Sequence, residues 1–290
     1  MFKKIILFAV FAVLLNIGRS QDQKINIVVI GAHPDDCDLD AGGTAIKFAR
    51  LGHHVLFIST TNGDAGHYLK LGEVLAEVRK AEAQEAGKRM GITYKILNNH
   101  DGLLMPDLNL RLELIHLIRE WKADVVIGPR PYDYHPDHRN TAIAVQDAAF
   151  LVIVPNIGRE MPALKKNPVF LYTEDRFKKP IPFSYDIVVD ISDVFEKKIY
   201  AMSAHKSQFF EWLPWLSGQL ASVPKTDDGR LKWLAETRKG SISKEAKEGL
   251  TKWYGAKAEK VKYVESFEIC EYGRYPDEKE IKQLFPMLGK

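Results

Sequence analysis

From residue 24 onward, short runs rich in β-branched residues alternate with longer stretches that mix apolar and polar positions. Such alternation reads as strand, helix, strand, helix. Strands are predicted at 25–30, 55–60, 94–97, 125–127, 169–172 and 187–190, and helices at 43–51, 73–90, 108–121, 139–154 and 194–205. Gly91 stands where the helix over 73–90 should stop, since glycine readily takes the left-handed conformation that ends a helix. The near-continuous apolar character of the strands fits a mostly parallel sheet with helices on both faces, a three-layer α/β arrangement. Beyond residue 208 the period fades. The aromatic, proline-broken stretch 209–216 (FFEWLPWL) reads as loop with a helix or two, and 263–270 (YVESFEIC) reads as a late strand at an edge of the sheet. No repeat or flexible linker interrupts the pattern, so residues 21–290 are expected to form one domain, with a core over 24–208 and a C-terminal appendage over 209–290.

The first twenty residues are different. Lys3 and Lys4 precede an apolar run over 5–15, and Gly18 and Ser20 offer small residues where a signal peptidase cuts, the layout of an export signal. The run is shorter than the roughly 20 residues that span a bilayer, so the expectation is cleavage near residue 21 and export to the periplasm or beyond, with no stable membrane insertion. No cysteine follows that run to carry a lipid anchor. The chain of 290 residues has a net charge of +3, and Lys3, Lys4 and Arg19 account for the whole excess because no acid lies among them. The remaining body is charge-balanced and lacks the basic footprint of a nucleic-acid binder. Two cysteines, Cys37 and Cys270, are too few for a disulfide framework. Whether they form one bridge or serve as small buried fillers stays open.

Candidate chemistry lies at two strand ends, where open parallel sheets gather functional loops. Gly31-Ala32-His33-Pro34-Asp35-Asp36 follows the first strand, and His135-Pro136-Asp137-His138 follows the fourth. Each proline disfavours a helical backbone at the preceding histidine and holds it in an extended or turn conformation. A catalytic zinc takes three nitrogen and oxygen ligands and leaves one position open; His33, Asp36 and His138 supply that set. Asp35 would then accept a proton from water, and His135 would protonate a leaving group or stabilise an oxyanion. A single His-Pro-Asp is commonly a turn whose Asp caps the next helix. Two copies at two strand ends favour the metal site. The first motif lacks the glycine spacing of a dinucleotide-binding loop.

These two motifs, with Gly42-Gly43, Thr61-Asn62-Gly63-Asp64-Ala65-Gly66, Arg79-Lys80-Ala81-Glu82 and Ala204-His205-Lys206-Ser207-Gln208, resemble the zinc-dependent N-acetylglucosaminyl deacetylases of the LmbE/PIG-L family. The resemblance runs from about residue 25 to 208 and implies a Rossmann-like fold, a Zn2+ site at His33, Asp36 and His138, Asp35 as general base, and His135 at the oxyanion or leaving nitrogen. It also implies that Arg79 contacts substrate, although a helix-surface arginine paired with Glu77 or Glu82 would look the same. Asp64 and His205 are pocket candidates on the same ground; a turn residue and a helix C-terminal cation are their plain readings. The chain departs from the family at Arg130, Tyr132 and Tyr134, which are expected to line a pocket and favour an anionic or sugar substrate.

The implied reaction is hydrolysis of an acetamide on an N-acetylated amino sugar, free or within a glycan. Two histidines and a carboxylate also describe an iron(II) oxygenase site, and Fe2+ is a possible occupant. A non-catalytic carbohydrate-binding protein of the same fold is the third reading.

Overall fold

The computed structural model describes residues 24–289; the expected export signal over 1–20 lies outside them. Seven strands form one sheet in the order β3-β2-β1-β4-β5-β7-β6. The strands are β1 (Asn26–Gly31), β2 (His54–Thr61), β3 (Thr93–Asn99), β4 (Val125–Gly128), β5 (Val169–Thr173), β6 (Ile187–Asp190) and β7 (Val264–Cys270). β1 to β5 run parallel, while β7 is antiparallel to both of its neighbours. The helices are α1 (Asp36–Arg50), α2 (Gly72–Met90), α3 (Leu108–Glu120), α4 (Pro136–Leu151), α5 (Phe195–Met202), α6 (Leu213–Leu216), α7 (Asp227–Arg238), α8 (Lys244–Tyr254) and α9 (Glu278–Leu284). This is the mostly parallel α/β fold that the alternation of elements implied, and it is Rossmann-like, as the family resemblance implied. Among the described residues no helix is long and apolar enough to cross a membrane.

Alternate residues of each central strand face opposite layers. Ile27, Val29, Phe57, Val125 and Ile127 pack with Ile46 and Phe48 of α1, Ala83 and Ala86 of α2, and Ile199 and Met202 of α5. Val28, Ile30, Leu56, Ile58 and Val126 pack with Leu114 and Ile118 of α3 and Ala144 and Ala148 of α4. Strand order reverses between β1 and β4, so the loops after these two strands leave a shared crevice.

Three boundaries differ from the sequence reading. Helix α1 starts at Asp36 instead of 43, because tertiary contacts stabilise an aspartate-rich segment with no apolar period of its own. Glu265 of β7 accepts from the backbone N–H groups of Gly43 (2.8 Å) and Thr44 (2.6 Å), and Lys198 Nζ donates to Leu39 O (2.6 Å) and Glu265 Oε1 (2.7 Å). This buried ion pair enters the hydrogen-bond ladder of α1. Gly43 permits it: a Cβ there would stand 2.8–2.9 Å from the Ile191 side chain.

β7 is the second correction. Its polar alternation suggested an edge strand, yet it lies between β5 and β6; Glu265 and Ser266 are buried, and Lys198 neutralises the glutamate. The C-terminal segment therefore completes the sheet instead of hanging from it. The third concerns the stretch expected as loop, where Ser207–Trp212 is π-helical and continues into α6. Phe209 and Phe210 are buried, and the half-exposed Trp215 stacks on Trp212 and Tyr68. Cys37 and Cys270 are both free and buried, on opposite faces of the sheet.

Candidate active site

The loop after β1 is shaped by Asp36. Its Oδ2 accepts from the backbone N–H groups of Ala32 (2.9 Å) and His33 (2.8 Å), which folds the His-Pro-Asp-Asp segment back over the start of α1. On the other side of the crevice His135 caps α4, its Nδ1 accepting from Asp137 N–H at 3.2 Å, with Pro136 in the first turn. That cap sets His138 one turn along, facing β1.

Three ligand-type atoms converge there. His33 Nδ1 lies 3.2 Å from His138 Nε2, and Asp36 Oδ2 is 3.5 Å from each of those nitrogens. Tetrahedral ligands about 2.0–2.1 Å from a zinc ion stand roughly 3.3–3.4 Å from one another, so the triangle fits such an ion. Carboxylates stand behind both imidazoles. His33 Nε2 is 3.1 Å from Asp101 Oδ1 and 3.4 Å from Asp137 Oδ2, and His138 Nδ1 is 3.2 Å from Asp133 Oδ1. Such partners fix the ring orientation and the nitrogen presented to a metal. Asp137 is itself held by the N–H groups of Gly102 (2.7 Å) and Leu104 (3.2 Å). Burial opposes charge on His33, but Asp101, Asp137 and Asp36 outweigh it and raise its pKa. Burial would lift Asp36, yet His138 and His33 hold it below the usual carboxylate range.

Asp35 is buried, 3% exposed, and borders the crevice. Burial raises its pKa and the Arg79 guanidinium opposes the rise; Arg79 Nη2 donates to Asp35 Oδ1 at 2.6 Å. Oδ2 is left free of that bond. Burial and the two neighbouring imidazoles lower the pKa of His135, which favours a neutral ring. With Nδ1 accepting from the backbone, the proton of that neutral ring sits on Nε2.

Of the four expected pocket residues outside the His-Pro-Asp motifs, Arg130 borders the cavity and the other three lie away from its lining. Arg79, expected as a substrate contact or a helix-surface residue, is not on the surface: it is 1% exposed on the inner face of α2 and paired with Asp35. Arg130 borders the cavity, but its donors are taken by Asp175 (2.7 and 3.2 Å), Glu268 (3.2 Å) and Phe177 O (2.9 Å), so its charge is already answered. Asp64 joins two loops by accepting from Asp101 N–H at 2.9 Å and meeting His100. His205, fully buried, lies 3.2 Å from Asp38 Oδ1 beneath α1. Tyr134 does border the cavity, whereas Tyr132 lies beside Arg130.

Sequence reasoning missed Asp101, Asp133 and Asp137. The last two carry a signal, since they stand within two residues of a motif histidine; Asp101 carries none, because only the pairing of β2 with β3 brings its loop to His33. The cavity over this cluster measures about 740 Å³ and extends from His33, Asp35, Asp36 and His138 past Thr173 and Phe177 to Arg238 and Tyr263. It suits a molecule the size of a substituted sugar.

Comparison with known proteins agrees with this geometry. Residues 28–149 match the family described as PIG-L, GlcNAc-PI de-N-acetylase. The chain is 31% identical over 212 residues to a diacetylchitobiose deacetylase of Thermococcus kodakarensis, covering 66% of this chain and 74% of that one. It is 28% identical over 218 residues to a probable N-acetyl-alpha-D-glucosaminyl L-malate deacetylase 2 of Bacillus cereus, covering 72% and 94%. The structure superposes on N,N'-diacetylchitobiose deacetylase from Pyrococcus horikoshii with a TM-score of 0.61 at 26% identity, covering 85% and 84% of the two chains.

Proposed function

The chain belongs to the PIG-L (LmbE) family, and from that membership and the convergence of His33, Asp36 and His138 beside Asp35 we propose that it is a zinc-dependent deacetylase of N-acetylated amino sugars. The observation that carries the reading is the triangle of ligand-type atoms with 3.2–3.5 Å sides next to a buried carboxylate. His33, Asp36 and His138 would hold the zinc. When bound there it supplies Lewis-acid polarisation of the amide carbonyl and makes water more acidic.

The protein's own groups account for the remaining roles. Arg79 fixes one oxygen of Asp35, so the other is presented at a set angle to take a proton from the attacking water. The same carboxyl, now protonated and buried, returns that proton to the departing nitrogen, a reversal that its raised pKa assists. His135 has a neutral ring with its proton on Nε2 and donates a hydrogen bond to the oxygen that gains negative charge. That role suits it better than nitrogen protonation, which would require a charged ring at a position that disfavours one. Preorganised donors of this kind lower the barrier because they need no reorientation as charge develops. The products are acetate and an amino sugar.

The test is acetate release by zinc-loaded protein from N-acetylglucosamine and its oligomers. A chelator should abolish it and added zinc restore it, and Asp35→Asn should lower kcat by about 10²–10⁴-fold with bound metal unchanged. Acetate release that survives Asp35→Asn would sink the mechanism. On the strength of residues 1–20 we also propose that the enzyme works outside the cytoplasm; recovery of the protein from the cytoplasmic fraction with residues 1–20 still attached would count against that.

A further inference from the structure

One partly buried cation that borders the cavity makes no ion pair or hydrogen bond. Arg238, the last residue of α7, borders the same cavity as Asp35 and His138. Among the described residues it makes no ion pair or hydrogen bond; its Nε is buried without a partner, its guanidinium lies 5.2 Å over the Phe209 ring, and the charge of Asp35 acts on it only from beyond contact distance. Other cations withdrawn from water here are answered. Arg79 faces Asp35, Arg130 faces Asp175 and Glu268, Lys198 faces Glu265, and Arg119 donates to six backbone carbonyls.

A guanidinium partly withdrawn from water and left unpaired costs free energy that a bound anion would recover. The aromatic ring beneath it offsets a fraction and fixes its plane, leaving the fork of Nη groups to meet a ligand. Gln208, next to Phe209, adds a second unanswered group: it is 8% exposed, borders the cavity, and its Oε1 has no partner.

We infer that Arg238 is a specificity-determining residue that selects N-acetylated amino sugars bearing an anionic substituent, a carboxylate or a phosphate, with Gln208 contacting the neutral hydroxyls beside it. The inference rests on the deacetylase reading for its assay and extends it to a substrate class. Arg238 lies outside residues 28–149, the part that matches the family. A planar guanidinium suits both anions through two parallel hydrogen bonds.

The experiment compares acetate release by zinc-loaded protein from N-acetylglucosamine, N-acetylglucosamine 6-phosphate and N-acetylmuramic acid. In Arg238→Met the ratio of kcat/KM for the anionic over the neutral substrate should fall by about 10–100-fold, and Arg238→Lys should restore most of it. The anionic substrate with the larger fall identifies whether phosphate or carboxylate is the natural group. A ratio unchanged in Arg238→Met, or an equal loss on all three substrates, overturns the inference. Should wild-type protein release acetate from none of them and from no N-acetylglucosamine oligomer, the deacetylase reading fails on its own. Calorimetric titration with glucosamine 6-phosphate and muramic acid then decides the role of Arg238. Binding at least tenfold weaker to Arg238→Met supports it, and equal affinity overturns it.

Discussion

Arg79→Met removes the charge behind Asp35, the proposed general base, while keeping the length of the side chain, and its effect can be worked from the structure. The Arg79 and Asp35 side chains are 2% and 4% exposed and meet at 2.6 Å. Arg79 Nη1 also stands 4.0 Å from Asp101 Oδ2. Removing one member of a buried pair strands the other, at a cost of about 3–5 kcal/mol. For a domain of this size that corresponds to a fall in Tm of roughly 6–20 °C. The deficit should depend on pH. Burial already raises the Asp35 pKa against the pull of Arg79, and without that pull it rises further. A carboxyl whose folded pKa exceeds its unfolded value stabilises the fold below the unfolded pKa and loses that contribution as pH rises through the folded one. The variant should therefore lie nearer to wild type at pH 5 than at pH 8. Asp35→Asn combined with Arg79→Met should cost at least about 1 kcal/mol less than the sum of the two single changes. Urea denaturation of the four proteins at two pH values measures all of this. Strict additivity, or a deficit independent of pH, would refute the reasoning.

Two further outcomes follow from the packing. Gly43→Ala places a Cβ 2.8–2.9 Å from Ile191 and should destabilise by about 1–3 kcal/mol in urea denaturation; a neutral result would mean that α1 can slide away from Ile191. His205 is buried, which lowers its pKa, but Asp38 outweighs the burial and raises it above the ordinary value, with help from Asp35 and Glu82. Its charged form therefore stabilises the fold fully below about pH 6.5, and the benefit fades as pH rises through the folded pKa. The stability gap between wild type and His205→Gln should narrow from pH 6 to pH 9, and a constant gap would contradict the pairing.

The sheet and its helices were legible because strands covered on both faces must be apolar along their length, and residues 25–30, 125–127 and 187–190 are. The two His-Pro-Asp motifs were legible because proline and strand ends constrain them locally. What the sequence hid was whatever depends on which charge meets which. Glu265 and Ser266 look like the solvent face of an edge strand until Lys198, 67 residues away, is seen to answer the glutamate. Arg79 and Arg130 carry the residue type that grips an anionic substrate, yet each is used by the protein's own carboxylates. Arg238 sits in a segment with no clear period, and nothing local marks it as the cation left over.

That distribution separates chemistry from selection along the chain. The ligand-type side chains, Asp35 and His135 all lie between residues 33 and 138, on the loops that leave β1 and β4 at the reversal of strand order and in the first turns of α1 and α4. The opposite wall of the cavity comes from later segments, including Thr173, Phe177, Arg238 and Tyr263. Contacts made by that wall with parts of a substrate remote from the amide would hold it against the reacting groups. Because β7 is seated between β5 and β6, and Glu265 on it reaches back into α1, the wall is anchored to the helix that carries Asp36. On the inference drawn above, a substitution at Arg238 changes which sugar is accepted while leaving the triangle of His33, Asp36 and His138 intact. Substitutions at Glu265 or Lys198 move both together, since they connect the selecting wall to the helix on which the chemistry is built.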